Sequence, residues 1–184
     1  AQETGMAFCH PYDDAVVVAG QATLGLELID DIANLRRVII PLGGGGLASG
    51  VAIALKQHDP SIKIIGVQTV DSDAMVKSVR AGRRITLAEV GLFSDGTAVK
   101  LVGAETFRIS RELVDEFMTV DTDAVCAAIK DVFVDTRSIV EPAGALGVAA
   151  IKQYVAQHKT RGETYAAILC GANMNFDRLR FVAE

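Results

Sequence analysis

The sequence is poor in aromatic residues and in cysteine. It contains no tryptophan, and aromatic side chains make up only 5% of its 184 residues, although half of all residues are hydrophobic. The apolar surface is therefore mostly aliphatic, which suits helices packed on a parallel sheet. The three cysteines, Cys9, Cys126 and Cys170, are widely spaced and odd in number, so they form neither a disulfide framework nor a Cys-x-x-Cys metal site. A reducing, cytoplasmic setting is expected.

A basic field and a long apolar run are also missing. The 18 basic and 23 acidic residues leave a net charge of −5, so nothing attracts the phosphate backbone of a nucleic acid. No apolar run reaches the roughly 20 residues that a bilayer requires, and no signal peptide is recognisable. We expect neither a nucleic-acid nor a membrane partner. The length suits one domain, and because the sequence does not start with Met, we expect part of a longer chain.

Apolar periodicity divides the sequence into alternating helices and strands. Residues 82–103 contain four glycines and no clear period, which predicts a loop with short elements. The whole pattern predicts an α/β fold, with a mostly parallel, twisted sheet and helices on both faces. The predicted helices cover residues 13–34, 47–56, 104–114, 122–136 and 142–158, and the predicted strands cover residues 37–42, 63–68, 117–120 and 165–170.

Four consecutive glycines, Gly43 to Gly46, separate the first predicted strand from the helix that follows it. Backbone N–H groups at the start of a helix lack partners, and the helix dipole is positive there. Glycine also lets the main chain approach an anion without an intervening Cβ. The loop therefore predicts a phosphate cradle, with a flexible turn that holds no ligand as the alternative.

Two other phosphate-binding motifs also place a glycine-rich loop before a helix. A Walker loop needs Gly-Lys-Ser/Thr directly before the helix, where this chain has Leu47 and Ala48, so that motif is excluded. The dinucleotide pattern is formally present as Gly43-x-Gly45-x-x-Ala48. However, the next strand ends in Gln68 rather than in an acidic residue that would bind ribose hydroxyls. A dinucleotide site stays an alternative.

Five segments, in the expected order, resemble the fold-type II pyridoxal-phosphate enzymes, and specifically the biosynthetic threonine dehydratases. They are HPYDDAVVVAGQATLGLEL at 10–28, VIIPLGGGGLASGVAIALK at 38–56, GLFSDGTAVK at 91–100, VEPAGALG at 140–147 and LCGANMNFDRLRFVAE at 169–184. The resemblance implies a tryptophan synthase β-like fold, incomplete in this chain. It also implies that residues 1–184 are the C-terminal part of one catalytic domain, whose N-terminal part and any regulatory domain lie outside them.

The resemblance implies an activity and a cofactor. Threonine dehydratases convert L-threonine to 2-oxobutanoate and ammonia on the route to isoleucine, and pyridoxal 5′-phosphate carries out the chemistry. Cys170 would face the pyridine nitrogen, and a neutral thiol there would leave that nitrogen largely unprotonated, which suits elimination. The full-length protein is expected to be a homo-oligomer that acts on a small amino acid. The residues expected to bind the cofactor phosphate through main-chain N–H groups are Gly43, Gly44, Gly45, Gly46 and Leu47.

The catalytic lysine of the family has no counterpart in this sequence. The family places its Schiff-base lysine in a Ser-Phe-Lys-x-Arg-Gly segment and covers the ring with a Ser-x-Gly-Asn-His loop, and neither string occurs here. Lys56 lies roughly 15 Å along a helix from the glycines, and Lys63 begins a strand at the wrong end of the sheet. No catalytic residue is therefore expected in this chain, which alone should be inactive. The alternatives are a non-catalytic phosphate-binding or oligomerisation module, or a serine or 3-hydroxyaspartate dehydratase.

The remaining polar residues are expected to have structural roles. The three histidines lack partners at ligand spacing, and Asp13 with Asp14 resembles a helix cap. Glu141 either serves the start of a helix or lies beside the cofactor ring. Asp71 and Asp73 could attract a cation, but Gln68 stands where a carboxylate ligand would be needed, so no metal site is expected.

Overall fold

The structure is a computed structural model that describes residues 3–183, with side chains described up to residue 182. Within this range it contains seven α-helices, four β-strands and one turn of 3₁₀ helix at Asp95–Thr97. The helices are α1 (Ala15–Asp31), α2 (Gly46–His58), α3 (Ala74–Ala81), α4 (Ala104–Leu113), α5 (Thr122–Thr136), α6 (Pro142–His158) and α7 (Arg178–Ala183). The strands are β1 (Leu35–Pro41), β2 (Lys63–Thr69), β3 (Glu116–Val120) and β4 (Thr164–Ala167).

All four strands are parallel and form one sheet in the order β3-β2-β1-β4. Successive side chains of a strand point to opposite faces, and in β1 both faces are apolar. Val38 and Ile40 pack against α1 to α4, whereas Ile39 packs against α5 and α6. The predicted α/β class, with helices on both faces of a parallel sheet, is confirmed. No helix of the described residues is long and apolar enough to cross a membrane.

The structure differs from the sequence-based prediction at two helices and one strand. Strand β4 ends at Ala167, three residues earlier than predicted, and only the N–H of Ile168 extends the pairing, to the carbonyl of Ile39 at 3.1 Å. Helices α3 and α7 were not predicted. Helix α3 begins without a capping side chain of its own, because the buried Oε1 of Gln68 accepts from the N–H groups of Met75 and Val76 at 2.9 and 3.0 Å.

The two adjacent aspartates both cap helices, but not the same helix. Asp14 caps α1, as predicted, by accepting from the N–H groups of Val16 and Val17. Asp13 instead caps α4, about ninety residues later in the chain, through the N–H groups of Ala104, Glu105 and Thr106 at 2.7, 2.9 and 3.2 Å. Burial acts to raise the pKa of Asp13, but these backbone hydrogen bonds outweigh it and lower the pKa below its usual value.

A charged cluster lies at the amino-terminal end of the sheet, where the parallel strands begin. Asp115 precedes β3, and its two carboxylate oxygens accept from Lys56 at 2.7 Å and from Lys63 at 2.9 Å. The same carboxylate accepts from the N–H of Ile64 at 2.9 Å. Both lysines are therefore held at this cluster, which joins α2, β2 and β3.

Replacing Asp115 by asparagine should lower the free energy of unfolding by about 2 kcal/mol at neutral pH, since charge-assisted hydrogen bonds are lost. Burial acts to raise the pKa of Asp115, but Lys56, Lys63 and Ile64 outweigh it, so the folded-state pKa lies below the ordinary value of 3.8. The stabilisation is therefore present above the unfolded-state pKa and is lost as the pH falls through the lowered pKa.

This prediction is tested by comparing denaturation midpoints of the natural full-length protein and the variant between about pH 7 and about pH 3. Asp131→Asn is the control, because Asp131 pairs with Lys152 at an exposed position, and exposed pairs contribute little. A gap between wild type and Asp115→Asn that is unchanged in acid would contradict the prediction.

Candidate active site

An open cavity of about 530 Å³ lies at the carboxyl edge of the sheet. Parallel strands place the loops that follow them at the same edge, where α/β proteins bind their ligands. The loops after β1 and β4, the start of α6, residues 96–99 and residues 11–12 all contribute to its lining, together with Gln21 of α1. The six residues predicted to bind a cofactor all line it: Gly43, Gly44, Gly45, Gly46, Leu47 and Cys170.

The glycine loop has the shape of an anion cradle. Gly45 is the N-cap of α2 with a φ of 102°, in the left-handed region, and no side chain caps this helix. A Cβ on Gly44 would lie 2.2 Å from the ring of Tyr12, and one on Gly46 would lie 3.1 Å from the backbone of the same residue. The first N–H groups of α2 thus lack an intrahelical acceptor, and neighbouring atoms leave no room for side chains on this loop. The loop fits a phosphate held by main-chain groups.

Cys170 lines the same cavity as the glycines. Its sulfur is 3.7 Å from the carbonyl oxygen of Ala143, in the first turn of α6. Cys170 is exposed as a residue, but its sulfur is partly withdrawn from water, and this desolvation, together with the charge of Glu141, raises the thiol pKa above the usual 9.0. A backbone hydrogen bond with Gly171 acts in the opposite direction. The thiol is therefore neutral at physiological pH.

Glu141 fastens the loop after β4 to the start of α6. Glu141 is the N-cap residue of α6, at the positive end of the helix dipole, but its side chain makes no cap hydrogen bond there. Instead its carboxylate accepts from the N–H of Asn173 at 2.9 Å, and its own N–H donates to the carbonyl of Gly171 at 2.9 Å. Glu141 thereby holds the loop that carries Cys170, and it also lines the cavity.

Tyr12 is a cavity residue that the residue patterns did not single out. Its ring lies against Gly44, and its hydroxyl donates to the carbonyl of Leu101 at 3.2 Å. His10, expected to be structural, accepts from the N–H groups of Tyr12 and Asp13 at 3.3 and 2.9 Å. His10 therefore orders the backbone of the segment from which Tyr12 contacts the glycine loop. Within this segment, Tyr12 is covered in the sequence analysis only by the resemblance of residues 10–28 to the dehydratases.

Comparison with known proteins identifies the family. Residues 1–171 match the family model described as pyridoxal-phosphate dependent enzyme. The chain belongs to this family. Its relatives include the biosynthetic L-threonine dehydratase IlvA of Burkholderia multivorans, which is 56% identical over the whole of this chain. The mitochondrial threonine dehydratase of Schizosaccharomyces pombe is 53% identical over the whole of this chain. The chain spans 36% and 31% of the lengths of these two relatives, about a third in each.

Solved structures of pyridoxal-phosphate enzymes share the fold. The processed form of threonine deaminase isoform 2 from Solanum lycopersicum superimposes with a TM-score of 0.97 at 41% identity, covering 99% of this chain and 50% of that one. Maize serine racemase superimposes with a TM-score of 0.89 at 34% identity, covering 99% of this chain and 56% of that one. The fold is therefore that of the fold-type II pyridoxal-phosphate enzymes, as the sequence predicted.

The structure also bears on the dinucleotide alternative and on the cation considered for Asp71 and Asp73. The side chain of Gln68 is fully buried and caps α3, so it is not available to the ribose of a dinucleotide. Asp73 pairs with Lys77 at 2.8 Å, and the carboxylate of Asp71 lies against Gly91. Among residues 3–183, no three potential ligand side chains are grouped so that they could hold a metal ion.

Proposed function

We propose that this chain is the C-terminal part of the catalytic domain of a threonine dehydratase. The enzyme would convert L-threonine to 2-oxobutanoate and ammonia for isoleucine synthesis. The single observation that carries the proposal is that the glycine loop and Cys170, which are distant in sequence, line one cavity in a chain of this family. The relatives that are 46–56% identical over the whole chain carry the name threonine dehydratase, which supports this substrate over other amino acids.

The chain's own residues would hold the cofactor and set its charge. The phosphate of pyridoxal 5′-phosphate would be bound by N–H groups of the glycine loop, where the helix dipole also favours a dianion. The cofactor, when bound, supplies a conjugated ring that accepts the electron pair released at the substrate Cα. Cys170 would face the ring nitrogen and leave it uncharged, and Glu141 would keep Cys170 in place. The phosphate-binding residues we propose are Gly43, Gly44, Gly45, Gly46 and Leu47.

The lysine that bonds the cofactor would come from outside residues 1–184. Lys56 and Lys63 are both bound to Asp115 at the amino-terminal end of the sheet, whereas the cavity is at the carboxyl end. We infer that an upstream segment of the full-length protein supplies this lysine, and that residues 1–184 alone do not turn over substrate. The full-length protein is proposed to be a cytoplasmic homo-oligomer.

The experiment measures 2-oxobutanoate formation from L-threonine by the natural full-length protein, with L-serine as the competing substrate. Borohydride reduction followed by peptide mapping identifies the lysine that carries the cofactor. We expect turnover of L-threonine in preference to L-serine, and a labelled lysine outside this chain. Faster turnover of L-serine would indicate a serine dehydratase. Cofactor fixed to Lys56 or Lys63, or no turnover of either amino acid, would contradict the proposal.

A further inference from the structure

A buried hydroxyl of α4 donates a hydrogen bond to the glycine loop. Thr106 is the third residue of α4 and is fully buried. Its Oγ1 donates to the carbonyl oxygen of Gly44 at 2.6 Å, across 62 residues of sequence. The hydroxyl of Ser49 in α2 donates to the main-chain carbonyl of Thr106 at 3.4 Å. Helix α4 is thus attached both to the glycine loop and to the helix that the loop begins.

The position of Thr106 is also fixed by Asp13. Asp13 caps α4 and accepts from the N–H of Thr106 at 3.2 Å, as well as from the two preceding N–H groups. Tyr12, the residue before Asp13, lies with its ring against Gly44. Tyr12 and α4 therefore both contact the glycine loop, and Asp13 joins the segment that carries Tyr12 to α4.

The hydroxyl selects one orientation of a peptide group that glycine would otherwise leave free. Residues 44 and 45 are both glycine, so the plane of the peptide between them can rotate at little steric expense. This peptide is trans, and in a trans peptide the C=O and the N–H point in opposite directions. A carbonyl of Gly44 held on the α4 side therefore places the N–H of Gly45 on the opposite side of the loop.

We propose that Thr106 is a positioning residue, whose hydroxyl fixes the Gly44–Gly45 peptide so that the Gly45 N–H is presented to the cofactor phosphate. This inference rests on the proposed function, because it assigns Thr106 a part in the same phosphate grip. Without the hydroxyl, the carbonyl of Gly44 loses its buried partner and the peptide can turn the wrong way. Removal of the hydroxyl should therefore weaken binding of the cofactor phosphate and leave binding of the rest of the cofactor unchanged.

The test compares Thr106→Val, which removes the hydroxyl at nearly constant volume, with Thr106→Ser, which keeps it. Dissociation constants of pyridoxal phosphate and of pyridoxal, which lacks the phosphate, are measured for the apo form of the full-length protein. Ser110→Ala is the matched control. Ser110 lies one turn further along α4, is fully buried, and its hydroxyl has no hydrogen-bond partner among the described residues.

We expect Thr106→Val to weaken binding of pyridoxal phosphate about tenfold, the loss that one oriented donor to a charged group would produce. Pyridoxal binding should not change, and Thr106→Ser and Ser110→Ala should behave as wild type. If Thr106→Val does not fold, the dissociation constants of Thr106→Ala and Thr106→Ser are compared instead, because these two variants also differ by the hydroxyl.

Two results would overturn the role of Thr106 while leaving the proposed function intact. One is wild-type affinity for pyridoxal phosphate in the variant without the hydroxyl. The other is an equal loss of affinity for pyridoxal phosphate and pyridoxal, which would show a general effect on the cavity. A wild-type protein that binds neither probe would overturn the proposed function, and the role of Thr106 with it.

Discussion

Replacement of Gly45 by alanine should destabilise the protein by about 3 kcal/mol and remove tight binding of pyridoxal phosphate. Two effects add at this position. The φ of 102° is strained for any residue with a Cβ, and the new Cβ would lie 2.9 Å from both Met75 Cε and Thr106 Cβ. Relief of that contact requires a shift of Thr106, which donates to the neighbouring carbonyl. Stability and the geometry of the phosphate loop should therefore be lost together.

Gly82→Ala separates the strain from the contacts. Gly82 also has a positive φ, 67°, but a Cβ there would meet nothing within 4 Å. This control should lower stability by only about 1 kcal/mol, from strain alone, with unchanged cofactor affinity. The measurements are denaturation midpoints and dissociation constants of pyridoxal phosphate for the full-length variants. Equal midpoints for the two variants would show that the packing behind Gly45 is unimportant.

The sheet was predictable from the sequence because its central strands are buried on both faces. β1 and β2 are short aliphatic runs bounded by glycine, proline or charged residues, and this pattern distinguishes them from helices. The same pattern misled at β4, since Leu169 continues the apolar run although it is 45% exposed. Hydrophobicity alone therefore did not indicate where the pairing stops.

Helix α3 escaped prediction because the signal for its start is not in the helix. It has eight residues, and its first N–H groups bond to Gln68, a residue of the preceding strand. From the sequence alone, the position of Gln68 at the end of a strand bears only on binding of a ribose or a cation. The Gln68 side chain caps α3 only because β2 and α3 are packed together, and that packing is a tertiary property.

The candidate site was predictable only in part, for a related reason. The glycine loop is local, so its residues, spacing and neighbouring elements predict a phosphate cradle directly. The contacts that hold it are not local: Thr106 bonds to Gly44 across 62 residues, and Asp13 reaches α4 across 91. Asp13 had been assigned to a helix cap, which is correct in kind, but the helix that it caps could not be chosen without the fold.

Replacement of Gly144 by alanine should destabilise the protein by about 3 kcal/mol, because backbone rather than side chain occupies the space. A Cβ on this residue of α6 would lie 2.2 Å from the carbonyl oxygen of Gly171 and 2.9 Å from its nitrogen. That carbonyl accepts from the N–H of Glu141, and Cys170 precedes it in the chain. Separation of α6 from this loop would therefore move Cys170, and cofactor affinity should fall at least about tenfold.

The matched control is expected to change the free energy of unfolding in the opposite direction. Gly20 lies in the middle of α1, is exposed, and a Cβ there would meet nothing within 4 Å. Gly20→Ala should raise the free energy of unfolding by about 0.5–1 kcal/mol, because alanine loses less backbone freedom in a helix, and should leave cofactor affinity unchanged. Both changes add one methyl group to a helix, so opposite shifts of the denaturation midpoint would isolate the contact with Gly171. A stabilised Gly144→Ala protein would mean that α6 and the loop after β4 are not in close contact, and Cys170 would then lack the support that its proposed place beside the ring requires.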